Sequence, residues 1–174
     1  MSDRFRARSS VLLFVMRGQG EAREILLQRR QNTGYADGMW ECAASGHVDA
    51  GEPMTAAVIR EAREELGIFL RSEDVHFATL IHKYTRETGE IYYCGYFLAE
   101  HYEGTPRICE PEKCAELRWF ALDALPDALI EDRRMAIDHM RRGIPYGEFG
   151  WLPEDRSNKA AGPLEPGRRE ETDG

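Results

Sequence analysis

Between Pro53 and Gly67 the sequence reads MTAAVIREAREEL, and both ends of that run are marked. Proline suits the first turn of a helix, where its missing N–H costs nothing, and glycine is a natural stop just past a helix end. Ile59, Ala62 and Leu66 recur at i, i+3 and i+7, which makes one apolar stripe. At 100° per residue, Glu61, Glu64 and Glu65 fall roughly opposite that stripe. Like charges at i,i+3 and i,i+4 destabilise an isolated helix by roughly 0.2–0.5 kcal/mol per pair. Arg60 and Arg63 are interleaved and offset part of that repulsion. Two readings stand at this point: a solvated acidic face, or a surface awaiting a cation. Helix spacing alone favours the first, because polar faces opposite apolar stripes are what surface helices show.

A stripe of this kind must be buried against other elements, and the flanks supply strands. Segments 10–16 and 24–30 read as a hairpin around the turn 18–23, and 40–46 as a short strand ending at Gly46. Segments 75–85 and 90–100 are aromatic and β-branched strands joined by the polar turn RETGE, and 115–122 is another strand. Segment 131–143 looks helical, with Gly143 as its stop. Strands, helix, strands, helix is an α+β order, with a mixed or antiparallel sheet and helices packed on its faces. Residues 1–152 are expected to form a single domain. The stretch 153–174 has few large apolar residues and is expected to be a disordered tail.

The chain has 42% hydrophobic residues, enough for a real core, and a formal net charge of -8. Such a balance gives no general attraction for nucleic acid or an anionic membrane, so a phosphorylated ligand would need a local reversal of sign. The apolar run VLLFVM, 11–16, is too short to span a bilayer, and no small-residue cleavage site follows it. Cys42, Cys94, Cys109 and Cys114 contain no CxxC, which points to free thiols in a cytoplasmic protein.

The flanks of the acidic helix change its reading. Gly46, Glu52, Arg60, Glu61, Glu64, Glu65, Gly67 and Ile68 follow one another at the spacing of the Nudix box, G-x5-E-x7-R-E-U-x-E-E-x-G-U. Residues 46–68 resemble that box throughout, with Ala62 at the middle aliphatic position as the one departure. The flanking elements extend the resemblance over roughly 8–145. It implies the Nudix fold, a mixed β-sheet sandwiched between α-helices. It also implies hydrolysis of a nucleoside diphosphate linked to another moiety X, with Mg²⁺ or Mn²⁺. Carried over by position, Glu61, Glu64 and Glu65 would be metal ligands with the carbonyl of Gly46. Glu61 or Glu64 would take the proton from the attacking water. Arg60 would orient the acids and pair with Glu52, and Gly67 would stop the helix. Hard cations take oxygen ligands and usually only one or two carboxylates, the rest being water and substrate phosphates.

The segment CEPEKCAELRWFALDALP, 109–126, is similar to one found in nucleotide-pool-type Nudix hydrolases, which act on nucleoside triphosphates. It implies that Glu110, Glu112 and Lys113 face the metal site, although alternating charges also suit a surface loop. Tyr35, Trp40, His82, Tyr84, Tyr92, Trp119 and Trp151 are aromatic candidates for stacking on a base, most of them expected in the core or at a rim. Nucleotide-sugar and dinucleotide-polyphosphate hydrolases are the alternative within the family. A non-catalytic nucleotide sensor would be expected to carry a broken box. An isopentenyl diphosphate isomerase, for which Cys42 is suggestively placed, would carry a degenerate one. A small-molecule nucleotide is the implied partner, with no stable nucleic-acid or membrane binding, and the resemblance allows a homodimer.

Overall fold

The residues Val11–Met16 leave the first strand no solvent face. Strand β1 (Arg8–Arg17) buries Val11, Leu13 and Val15 on one side and Leu12, Phe14 and Met16 on the other. A strand apolar on both faces requires a covering layer on each. The computed structural model of the chain describes residues 6–151. The expected tail, 153–174, lies outside the described residues.

Seven further strands complete one mixed sheet: β2 (Glu24–Arg30), β3 (Trp40–Cys42), β4 (Ala44–His47), β5 (His76–Thr85), β6 (Glu90–Ala99), β7 (Cys114–Ala121) and β8 (Tyr146–Phe149). The order is β3-β2-β1-β6-β5-β8, with β4 paired to β1 and β7 to β2. The β1–β6 and β5–β8 pairs are parallel. Helix α1 (Met54–Leu66) covers the Val11, Leu13, Val15 face, and α2 (Glu131–Arg142) covers the other through Ala136 and Ile137. The α+β architecture read from the sequence is therefore the observed one, with a helix on each face of the sheet.

Three details differ from the sequence reading. The expected strand 40–46 is two strands broken at Ala43, because its partner changes there: β3 pairs with β2, whereas β4 pairs with β1. Strand β8 is unforeseen, since YGEF is short and has no apolar alternation. It packs through Gly147, where a Cβ would sit 2.4 Å from Cε1 of the buried His139. The buried stripe of α1 is Ala57, Val58, Ala62 and Leu66, with Ile59 only partly buried. That rotation leaves Glu61 and Glu65 flanking the stripe rather than opposite it, and only Glu64 is fully on the exposed side.

Both ends of α1 fall where the sequence marks them. Pro53 is its N-cap, and Gly67 adopts the left-handed conformation at φ 65° with its N–H directed to the carbonyls of Ala62 and Arg63. The loop after β6 satisfies two more end carbonyls: Arg107 N–H donates to Leu66 O and Cys109 N–H to Glu65 O, each at 3.0 Å. Among the described residues no helix is long and apolar enough to cross a membrane. A Cβ on Gly67 would meet Arg107 Cζ and Cys109 Sγ, both at 3.1 Å. G67A is expected to lower the unfolding free energy by about 1–2 kcal/mol, the cost of a left-handed non-glycine residue, in urea denaturation. An unchanged midpoint would contradict this cap geometry.

Candidate active site

The seam between α1 and β4 depends on Gly46. A Cβ there would lie 1.9 Å from Glu61 Oε1, so only glycine lets the Glu61 carboxylate rest against the strand. Arg60 holds the seam from the other side. Its Nε and Nη2 donate to the two oxygens of Glu52, both at 3.0 Å, and Nη2 also donates to His47 O at 3.1 Å. Its Nη1 donates to Glu61 Oε1 at 2.6 Å and reaches Glu64 Oε2 at 3.3 Å. Glu52 in turn accepts the Asp49 N–H at 3.1 Å. A bidentate guanidinium–carboxylate pair fixes direction as well as distance, so Arg60 locks the 47–52 loop to the helix.

Glu65 points into the sheet. Its Oε2 accepts the Ser45 N–H at 3.0 Å and Gln28 Nε2 at 3.3 Å. Burial pushes its carboxyl up to about 8; the Ser45 hydrogen bond opposes this, and the charges of Glu61, Glu41 and Glu110 add to it. Burial also raises Glu61, against the pull of Arg60. Among the described residues no three acidic, His or Cys side chains are gathered to hold a metal, and Arg60 draws Glu61 and Glu64 to its own guanidinium. The donor set nevertheless fits a hard divalent cation. It offers carboxylate oxygens and a strand carbonyl at Gly46, and the crowded acids raise Glu65, a repulsion that a cation would relieve. Glu64, 54% exposed, would lose no buried contact on turning.

Gly46 and Glu65 border a cleft of about 710 Å³, lined here also by Ser45, Glu110 and Lys113, whereas Glu52, Arg60, Glu61 and Glu64 are not among its lining residues. That volume is in the usual range for small-ligand sites. Lys113 Nζ lies 3.0 Å from both oxygens of Glu110. The structure does not bring Glu112 to the cleft wall: its side chain is exposed, and its carbonyl accepts Asn32 Nδ2 at 3.1 Å. Of the aromatic candidates, Tyr35 and Tyr92 line the cleft. Trp40 is core, edge-on to Phe120 at 4.8 Å, and His82 stacks on Tyr93 at 4.6 Å beside Trp151. All four cysteines are free.

The sequence reading missed a buried charged network on the same cleft. Glu41, 2% exposed, pairs with Arg30 and, at 3.2 Å, with Arg133. Asp132 pairs with Arg133 at 2.5 Å and with Lys83 at 3.1 Å. One signal was available: Lys83 falls two residues after Ile81, on the inward face of β5.

The Glu52 carboxyl is held below its ordinary value of 4.5, chiefly by the Arg60 hydrogen bond. A carboxyl depressed on folding contributes stability above its unfolded value, and that contribution is lost as pH falls through the folded value. The difference in unfolding free energy between wild type and E52Q is therefore expected to be constant near neutrality and to shrink below about pH 4.5, in urea titrations across that range. A difference independent of pH would remove the ion pair as its cause.

A family model described as NUDIX domain matches residues 6–140. The NAD-capped RNA hydrolase NudC of Stutzerimonas stutzeri (strain A1501) is 32% identical over 119 residues, covering 67% of this chain. The chain spans only 37% of the length of that curated relative. The crystal structure of a MutT NUDIX hydrolase from Burkholderia pseudomallei superposes with a TM-score of 0.68 at 31% identity, covering 78% of this chain and 98% of that one. The NUDIX domain of Shewanella oneidensis NrtR, complexed with ADP ribose, is alike in fold, with a TM-score of 0.62 at 16% identity over 80% of this chain and 90% of that one.

Proposed function

Because this chain belongs to the Nudix hydrolase family, we infer that it hydrolyses a phosphoanhydride bond in a nucleoside diphosphate linked to X, with a nucleoside triphosphate as the substrate. The products are then a nucleoside monophosphate and pyrophosphate. The observation that carries this reading is the packing of Glu61 on Gly46 beside the half-buried Glu65, with Gly46 and Glu65 on the wall of a ligand-sized cleft.

Glu61, Glu64, Glu65 and the Gly46 carbonyl would hold Mg²⁺ or Mn²⁺. Such an ion, when bound, stabilises charge on phosphoryl oxygens as a Lewis acid. The chain's own residues do the remainder. Glu61 or Glu64 accepts the proton of the attacking water as its oxygen bonds to phosphorus and the P–O bond to the leaving group, pyrophosphate or the nucleoside monophosphate, breaks. Arg60 keeps Glu61 and Glu64 oriented through Glu52, and Lys113 meets a phosphate oxygen. Folded core and cleft are assigned to one domain, 1–152, acting in the cytoplasm on a small-molecule nucleotide, and a homodimer is compatible with this role.

The similarity to an NAD-capped RNA hydrolase favours a second reading, an X-linked diphosphate as substrate. A triphosphate panel and a dinucleotide panel, each with Mg²⁺ and Mn²⁺, separate the two by product: pyrophosphate in the first case, two organic monophosphates in the second. E64Q is expected to lower kcat at least about 100-fold, the usual weight of a general base, while its melting temperature stays near wild type. Unchanged turnover would sink the assignment. G46A is expected to displace Glu61 and to weaken Mn²⁺ binding, followed calorimetrically, about tenfold or more. Undiminished binding would exclude the Gly46–Glu61 cradle from the metal site.

A further inference from the structure

The network that the sequence reading missed turns more hydrogen-bond donors than acceptors to the cleft. Arg30, Lys83 and Arg133 line it, and they are balanced by only two buried anions, Glu41 and Asp132. Each oxygen of Glu41, the network's one carboxylate on that wall, already has a guanidinium partner. Glu41 Oε1 faces Arg30 and Glu41 Oε2 faces Arg133, while Asp132 itself does not line the cleft. The donors are in surplus. An ammonium has three N–H bonds, and Lys83 spends one on Asp132 Oδ2 and one on the Tyr35 hydroxyl, each at 3.1 Å. Arg133, 8% exposed, leaves its buried Nε without a hydrogen-bond partner among the described residues. Burial is the largest single influence and disfavours the Lys83 charge, but Asp132 and Tyr35 together outweigh it and hold the ammonium above its ordinary value.

We propose that this wall, with Lys83 as its specificity-determining donor and Asp132 as the residue that positions it, binds the keto edge of a nucleobase. The proposal rests on the nucleotide reading above and narrows it. Guanine and uracil offer carbonyl oxygens where adenine and cytosine offer amino groups. On this wall an amino group would face cationic N–H donors and could be accepted only at the Glu41 oxygens already shared with Arg30 and Arg133, so its desolvation would be poorly compensated. Tyr92, on the same cleft, offers an aromatic surface for a flat base, with Arg8 at 5.9 Å and the His47 ring at 6.0 Å from its ring, while the Tyr35 ring carries both Arg30 and Lys83 at 5.4 and 5.3 Å.

The first test is equilibrium binding of GMP, UMP, AMP and CMP to the wild-type chain with Mg²⁺, which needs no turnover. GMP and UMP are expected to bind about tenfold or more tighter than AMP and CMP, as in sites built to hydrogen-bond one edge. Equal binding of the four, a preference for the amino bases, or no binding by any would overturn the proposal. In K83M, and in K83Q, which can also accept a hydrogen bond, the keto-to-amino ratio should fall toward one. An equal loss for all four nucleotides would instead assign Lys83 to the phosphates, or to the fold if the melting temperature falls with it, and would also overturn the proposal. A keto preference with no product formed from any triphosphate would leave this subsite standing and defeat the hydrolase reading instead.

Discussion

Strand β1 is the element on which the rest of the molecule depends. Burying Val11, Leu13 and Val15 against α1 and Leu12, Phe14 and Met16 against the α2 side commits the chain to a three-layer arrangement. Each fully buried side chain of this size is worth about 1.5–3 kcal/mol, so no alternative that exposes either face competes. The same strand makes the cleft. On one flank it pairs with β6 over most of its length, but on the other it pairs with β4 through Leu13 and with β2 from Val15. Ser10 and Leu12 of β1, Gln28 of β2 and Ser45 of β4 line the opening where those two ladders part.

The acidic helix is usable because of what β4 lacks. Were Gly46 any other residue, Glu61 would be driven off the strand, and Arg60 would lose the fixed geometry through which it ties Glu52, Glu61 and Glu64 together. Arg60 is thus the internal counterion of the seam. Glu65 lies beyond its reach, supported only by a backbone N–H and the Gln28 amide, and this acid has its carboxyl raised to about 8. The contrast follows from distance to positive charge: an acid with a guanidinium at 2.6 Å is partly compensated for burial, and one without is not.

What could be read from the sequence was what is local. The ends of α1 were legible because Pro53 and Gly67 each act within one turn, and β2, β5 and β6 because their composition repeats along the strand. The break at Ala43 was not, since it reflects a change of partner between two distant strands. Nor was β8, which owes its place to the edge of β5 and to the fit of Gly147 on His139. At the site, the spacing of Gly46, Glu52 and the helix acids was readable because they occupy one continuous loop–helix unit. The pairing of Glu41 with Arg133, 92 residues apart, has no local period to betray it. Glu112 shows the converse error: its charge alternates with that of Lys113 along the loop, but the turn that presents Glu110 and Lys113 to the cleft leaves Glu112 in solvent.

The net charge of -8 therefore conceals an uneven cleft. Around Glu65 and Glu110 the wall is acidic, and around Arg30, Lys83 and Arg133 it carries more cation than anion. The cationic part is not screened as a surface charge would be, because Glu41, Lys83 and Arg133 are each more than nine-tenths buried. On the proposed reading, a nucleotide meets these parts in a fixed sense. Its phosphates can approach the acids only together with a cation, and its base can approach the donor wall only with an acceptor edge. Reversing it would set the base against the carboxylates and the phosphates against the donor wall, so the cation held among the acids is what draws the phosphates to that end. The arrangement thus selects orientation electrostatically, before any contact specific to one base is made, and the Lys83–Asp132 pair then has only to distinguish between base edges.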